Sequence, residues 1–246
     1  MNRSIILFFL LIALFMMELT YGCYLVGEKS ISNSSSPAGE SSSTGYSSSE
    51  NLNVLDEIGR INISSTIDVN GTTWDGSGKV IYANGMGDGS QSENQDPIFN
   101  VTNGTVTNVT IGFPACDGIH LMGGNCTVSN IVIPDVGEDA LTVKKPGTYV
   151  VSNFTAHNSE DKLFQINDLC TITYQNIVGN GMGKFCRQNG GKTWKCVIYI
   201  NGIDINGVDE AVVRSDSTLT TVYYRNISCN LSSSDWWYGN FTVSSY

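Results

Sequence analysis

Thr105-Val106-Thr107-Asn108-Val109-Thr110-Ile111 is followed by Thr127-Val128-Ser129-Asn130-Ile131-Val132-Ile133, then by Tyr149-Val150-Val151-Ser152-Asn153-Phe154-Thr155 and Ile172-Thr173-Tyr174-Gln175-Asn176-Ile177-Val178. Val222-Tyr223-Tyr224-Arg225-Asn226-Ile227-Ser228 repeats the form once more. Asn recurs at 108, 130, 153, 176 and 226, each time before an apolar residue, in steps of 22 to 23 residues with one double interval that Asn201-Gly202-Ile203 divides imperfectly. Within each unit apolar and small polar residues alternate, which is the period of a strand. Gly, Asn and Asp fall between units, as turns require. A unit this short cannot bury its apolar face alone, so the units must stack. Stacked coils place equivalent residues about 4.8 Å apart. The recurring Asn should then form a ladder of side-chain amides, and the apolar residue after it an interior column. A β-sandwich would show turns every 8–12 residues instead. The expected fold is all-β, a single-stranded right-handed parallel β-helix filling residues 51–246 as one domain.

The segment before that domain has a different character. Met1-Asn2-Arg3 carries a positive charge, Ile5 to Met17 is an unbroken apolar run, and Thr20-Tyr21-Gly22 supplies small residues near a cleavage point. This reads as a secretory signal peptide over 1–22; a membrane span wants roughly 20 apolar residues. Residues 23–50 are dominated by Ser and read as a flexible linker. The expectation is a secreted, extracellular protein with no membrane segment after cleavage, and a monomer.

The chain is acidic, with 13 Lys and Arg against 23 Asp and Glu. That balance argues against nucleic acid and anionic membranes as partners. Seven cysteines in an exported chain read as disulfide material. With Cys23 near the cleavage point, Cys116–Cys126 and Cys186–Cys196 are short-loop candidates and Cys170 and Cys229 remain, but spacing does not fix the connectivity. Asn-x-Ser/Thr sequons at Asn33, Asn62, Asn70, Asn100, Asn103, Asn108, Asn125, Asn153, Asn226, Asn230 and Asn240 are candidate glycosylation sites.

The residues able to carry chemistry lie between Asp117 and Arg187. Asp117-Gly118-Ile119-His120 precedes one coil, Asp135-Val136-Gly137-Glu138-Asp139-Ala140 follows the next strand, and Lys144, Asp161-Lys162 and Gly183-Lys184-Phe185-Cys186-Arg187 come after. Similar phase on successive coils of a solenoid means one face. Asp117, Asp135, Glu138 and Asp139 should therefore lie near Lys144, Lys162, Lys184 and Arg187. Carboxylates from adjacent coils offer the hard oxygen donors that suit Ca²⁺, which takes 6–8 oxygens. A uronate carboxylate could complete the shell, and a cation there acidifies the neighbouring C5 proton. A Lys crowded by cations can be depressed enough to serve as base. Arg stays protonated but binds carboxylates through its fork. Each piece also has a plainer reading. Asp-Gly and Gly-Glu-Asp are common turns, Asp161-Lys162 could be a surface pair, and His120 a capping or core residue.

In order, Gly87-Asp88-Gly89-Ser90-Gln91-Ser92-Glu93-Asn94-Gln95-Asp96-Pro97-Ile98-Phe99, Ala115-Cys116-Asp117-Gly118-Ile119-His120, the Asp135–Ala140 run, Asp161-Lys162-Leu163-Phe164-Gln165, and Gly183-Lys184 with Arg187 resemble the pectate lyases of polysaccharide lyase family 3 across residues 65–230. The resemblance implies a Ca²⁺-dependent β-elimination that cleaves polygalacturonate, the de-esterified form of pectin, to 4,5-unsaturated products. It implies Asp117, Glu138 and Asp139 as calcium ligands with Asp135 close by, Lys162 as the base with Arg187 the next candidate, and Lys144 and Lys184 as cationic substrate-binding positions. The chain departs from the family at Leu121, where members usually have Cys (leaving Cys116 as a substitute partner for Cys126), at Ile166, and around Phe185-Cys186-Arg187-Gln188. The competing functions are a polygalacturonase, which hydrolyses with paired acids, and a non-catalytic pectin-binding β-helix.

Overall fold

The computed structural model describes residues 59–246. The expected signal peptide, the Ser-rich segment, Cys23 and Asn33 lie outside the described residues. Fourteen strands follow: β1 (Arg60–Ile63), β2 (Ile67–Asn70), β3 (Thr73–Ala83), β4 (Phe99–Thr102), β5 (Thr105–Ile111), β6 (Ile119–Leu121), β7 (Gly124–Ile133), β8 (Leu141–Val143), β9 (Gly147–Ile166), β10 (Cys170–Gln188), β11 (Cys196–Arg214), β12 (Thr221–Cys229), β13 (Trp237–Tyr238) and β14 (Thr242–Ser245). Every pairing is parallel. The chain winds as a right-handed parallel β-solenoid of about 8 turns.

Two parallel ladders run along the solenoid. One is β1-β3-β5-β7-β9-β10-β11-β12-β14, and a second joins β2, β4, β6 and β8 to the distal part of β9. The three longest strands bend from one ladder into the other: β9 pairs with β7 through Gly147–Ala156 and with β8 through Phe164–Ile166. Inside, apolar columns continue from coil to coil. Val106, Val128, Val151, Tyr174 and Ile200 form one such column. Phe164 anchors the centre, 4.6 Å from Tyr174, 5.1 Å from Phe185 and 5.5 Å from Phe154 between ring centroids. Burial of these rings and the Val and Ile columns supplies the main driving force for stacking.

The recurring Asn forms the expected ladder on the outside of a bend. The Nδ2 of Asn130 donates to Asn108 at 2.9 Å, Asn153 to Asn130 at 3.0 Å, and Asn176 to Asn153 at 3.2 Å. The backbone explains why Asn is used. Asn108, Asn130, Asn153, Asn176 and Asn226 all have φ between 50° and 56°. Asn tolerates this left-handed region, whereas a residue such as Ala is strained there by about 1–2 kcal/mol. On the coil that the sequence repeat fits poorly, Gly202, at φ 80°, takes the ladder position between Asn176 and Asn226. Glycine keeps the bend and interrupts the amides. Asn153→Ala is therefore expected to lower unfolding stability by about 3 kcal/mol, from backbone strain plus two surface amide bonds. Asn153→Gly should cost roughly 1 kcal/mol, because only the bonds are lost. Chemical denaturation of the two variants checks the order.

No disulfide joins Cys116, Cys126, Cys170, Cys186, Cys196 and Cys229 in this structure. Cys186 points into the core, its Sγ 3.7 Å from the Tyr174 hydroxyl. The thiol of Cys126 contacts the carbonyls of Val101 and Gly123, both at 3.3 Å.

Candidate active site

The second ladder sets the positions of the charged residues. Ile119, Leu141, Phe164, Cys186 and Val213 are register partners on successive coils. Two residues before each stand Asp117, Asp139, Lys162, Lys184 and Ala211; three before stand Cys116, Glu138, Asp161, Gly183 and Glu210. Four of the expected site residues thus share one column, with Glu138 beside it. The coils approach closely here because the turns carry glycine. A Cβ on Gly118 would lie 2.3 Å from the Asp139 carbonyl oxygen, and one on Gly137 would lie 2.1 Å from that of Cys116.

One carboxylate oxygen from each of Asp117, Glu138 and Asp139 lies within 4.8 Å of the others, and all three side chains are buried. Each Asp is held by the residue three further on. The Nε2 of His120 is 2.7 Å from Asp117 Oδ2, and Thr142 Oγ1 donates to Asp139 Oδ2 at 3.0 Å. Oδ1 of Asp117 is buried without a hydrogen-bond partner. Lys162 Nζ closes the group, 3.1 Å from Asp139, 3.7 Å from Glu138 and 3.5 Å from Asp161. Lys144 Nζ lies 3.6 Å from Asp117.

The electrostatics follow from crowding charges away from water. Burial, with the Asp139 and Asp117 charges, pushes the Glu138 carboxyl up to about 8. Burial also raises Asp139, to about 6, against the pull of Lys162. Burial acts on Asp117 in the same direction, but the contacts to His120 and Lys144 outweigh it and hold this carboxyl below its ordinary value. Burial alone would depress Lys162, yet Asp139, Glu138 and Asp161 together raise it. The lowering expected from the sequence needs a bound cation beside the amine; the protein by itself supplies carboxylates.

The other expected residues are placed as follows. Lys184 Nζ sits between Asp161 at 2.5 Å and Glu210 at 2.8 Å. Its charge is therefore matched by the protein, and Glu210 in turn contacts Arg214. Arg187 presents its fork to Asp216, 3.0 Å from NH2 to Oδ2 and 3.4 Å from NH1 to Oδ1. Asp135 does not join the trio. Its carboxylate accepts a hydrogen bond from Asn158 at 3.2 Å, and it lines an open groove of 560 Å³ with Glu160, Gly181 and Asp209. Being three to four residues earlier than Glu138 and Asp139, it belongs to the preceding bend. Sequence reading did not single out Glu210, Arg214 or Asp216. The signal for Glu210 was the column it shares with Glu138 and Asp161, obscured because β11 carries one residue more than the stretch of β10 between Met182 and Lys184 that it pairs with.

Three comparisons bear on this arrangement. A family model described as pectate lyase matches residues 52–240. Among curated proteins, the chain is 34% identical over 152 residues to "Probable pectate lyase E" of Neosartorya fischeri, covering 59% of each chain. It is 30% identical over 181 residues to pectate lyase H of Emericella nidulans, covering 67% of this chain and 69% of that one. The match therefore spans about three-fifths of the first of these relatives. Among solved structures, the catalytic domain of pectate lyase PelI from Erwinia chrysanthemi superposes with a TM-score of 0.56 at 20% identity, over 76% of this chain and all of that one. PelI has also been solved in complex with tetragalacturonic acid, with a TM-score of 0.53 at 23% identity over 74% of this chain and 59% of that one. By fold and by the match of the family model to most of its length, the chain belongs to the pectate lyase family.

Proposed function

We propose that the protein is a secreted pectate lyase that cleaves polygalacturonate by β-elimination. The observation that carries this reading is the buried trio Asp117, Glu138 and Asp139, with Lys162 in direct contact with the last two. A hydrolase of the polygalacturonase kind needs two carboxylic acids and no buried amine between them. A merely binding surface has no reason to hold three carboxyls out of water, where each costs free energy unless compensated.

The trio fits Ca²⁺. Its donors are all oxygen, they converge, and Asp117 Oδ1 is buried with no protein partner. Asp117, Glu138 and Asp139 would hold the ion. When bound, Ca²⁺ supplies positive charge beside a uronate carboxylate and so lowers the cost of negative charge developing at the adjacent carbon. Lys162, which reaches both Glu138 and Asp139, would take the C5 proton in its neutral form, which requires the carboxylates that raise it to be compensated by the bound cation. The C4–O bond then breaks, leaving a 4,5 double bond, and the departing oxygen takes a proton from solvent. Arg187 keeps its charge throughout and suits a substrate carboxylate. Lys144, whose side chain is 31% exposed, is the accessible cation beside the trio. Lys184 contributes by holding Asp161, which in turn holds Lys162.

Two results test the reading. Each cleavage of polygalacturonate should give one fragment with a 4,5-unsaturated end, one water lighter than its hydrolytic counterpart, beside a saturated fragment; products that are all of hydrolytic mass contradict elimination. Arg187→Ala is expected to lower kcat/KM by about 10²-fold through loss of a charge-assisted fork. Steady-state kinetics on polygalacturonate checks it.

A further inference from the structure

We propose that Cys170 and Cys196 form a disulfide that staples the coil carrying Lys184 and Arg187. Cys170 opens β10, Cys196 opens β11, and the two are Cα partners in the first register position of that parallel pair. Neighbouring strands lie about 4.8 Å apart, inside the roughly 4.4–6.8 Å between Cα atoms that a cystine spans. Both side chains are buried, and Cys196 Sγ lies 3.7 Å from the carbonyl of Asp168, two residues before Cys170. On the other side of Cys170 stands Gly147, so its only sulfur neighbour in register is Cys196.

The remaining thiols have other surroundings. Cys186 faces Tyr174, Cys126 faces two carbonyls, Cys116 lies in the turn before Asp117 with its Sγ toward the Pro114 carbonyl, and Cys229 is half-buried near the end of β12. Among the described residues, none of these four is a register partner of another cysteine.

The chemistry of the pair also suits closure. Hydrogen bonding from Cys170 holds the Cys196 thiol below its ordinary value, and the same contact, with burial, raises Cys170. Cys196 is therefore the thiol that ionises first and attacks. The oxidant is a disulfide of the export pathway, RSSR. The Cys196 thiolate attacks one of its sulfurs and expels RS⁻. The Cys170 thiolate then attacks Cys196 in the mixed disulfide and expels the second RS⁻. Two protons leave the protein thiols and two RSH result. Because both cysteines are buried, closure accompanies docking of the two coils. The bond would enclose one complete turn of the solenoid, residues 171–195.

The test is a peptide map of the full chain secreted by a eukaryotic host, denatured, alkylated without reduction and digested. The expected result is one linked pair of peptides containing Cys170 and Cys196, two hydrogens lighter than the sum of the reduced peptides. Alkylated Cys170 and Cys196, or linkage of either to another cysteine, overturns the proposal. Thermal unfolding is an independent reading. Cys170→Ser and Cys196→Ser should each lower Tm by roughly 10 °C, and reductant should lower wild type by a similar amount while leaving both variants unchanged. A reductant-insensitive wild type also overturns it.

Discussion

Lys162→Ala is expected to lower kcat on polygalacturonate by about 10³-fold, with KM changed only a few-fold. The magnitude follows from general base catalysis, which contributes roughly 10²–10⁴-fold. The split between kcat and KM follows from position, since Lys162 is buried among Glu138, Asp139 and Asp161 and is not an exposed cation that gathers substrate. Removing its charge leaves carboxylates less compensated, so the variant needs a fold control. Circular dichroism should be that of wild type, and calcium should bind at least as tightly, because a competing cation is gone. A tenfold or smaller loss of kcat in a folded variant would assign the base elsewhere.

The second large effect is a dependence of stability on pH that calcium removes. In the calcium-free protein Glu138 titrates near 8 and Asp139 near 6, against ordinary values of 4.5 and 3.8. Between about pH 4.5 and 8 the folded state therefore holds more protons than the unfolded chain, so stability falls as pH rises through that window. Below it both states are protonated at these groups and the contribution is fully present. The groups shifted the other way, Asp88, Asp117, Asp161, Glu210 and Asp216, are depressed carboxyls and act below pH 4.5. Lys162 is raised and acts above pH 10. The expected loss from pH 5 to pH 8 in EGTA is a few kcal/mol, at about 1.4 kcal/mol for each tenfold change in proton affinity, reduced because the trio titrates as a coupled group. With saturating Ca²⁺ the carboxylates are held ionised and the slope should vanish or reverse. Thermal midpoints at pH 5, 6, 7 and 8, with and without calcium, measure both. A midpoint independent of pH in EGTA would mean that the trio is not strained in the free protein.

The fold was legible because one physical requirement wrote itself repeatedly into the chain. Each bend at Asn108, Asn130, Asn153 and Asn176 needs a left-handed backbone and an amide neighbour. Asn satisfies both, so the ladder appears as a period. The trio and Lys162 were legible for the same reason, since Asp117, Asp139, Lys162 and Lys184 keep a constant offset from the interior column. What did not show was pairing between coils of unequal length. Asp216 meets Arg187 from 29 residues away and Glu210 meets Lys184 from 26, both beyond the regular step. Asp135 looked like a ligand from its place in an acidic run, but the bend between it and Glu138 turns its side chain to Asn158.

The most direct measurement is the initial rate of ultraviolet absorbance from unsaturated uronate, with wild-type protein on polygalacturonate, in Ca²⁺, after EGTA, and after calcium is restored. The account predicts absorbance that rises in calcium, stops on chelation and resumes on restoration. Folded, calcium-saturated protein that yields no absorbance would contradict it and leave the buried trio as a site without the proposed elimination.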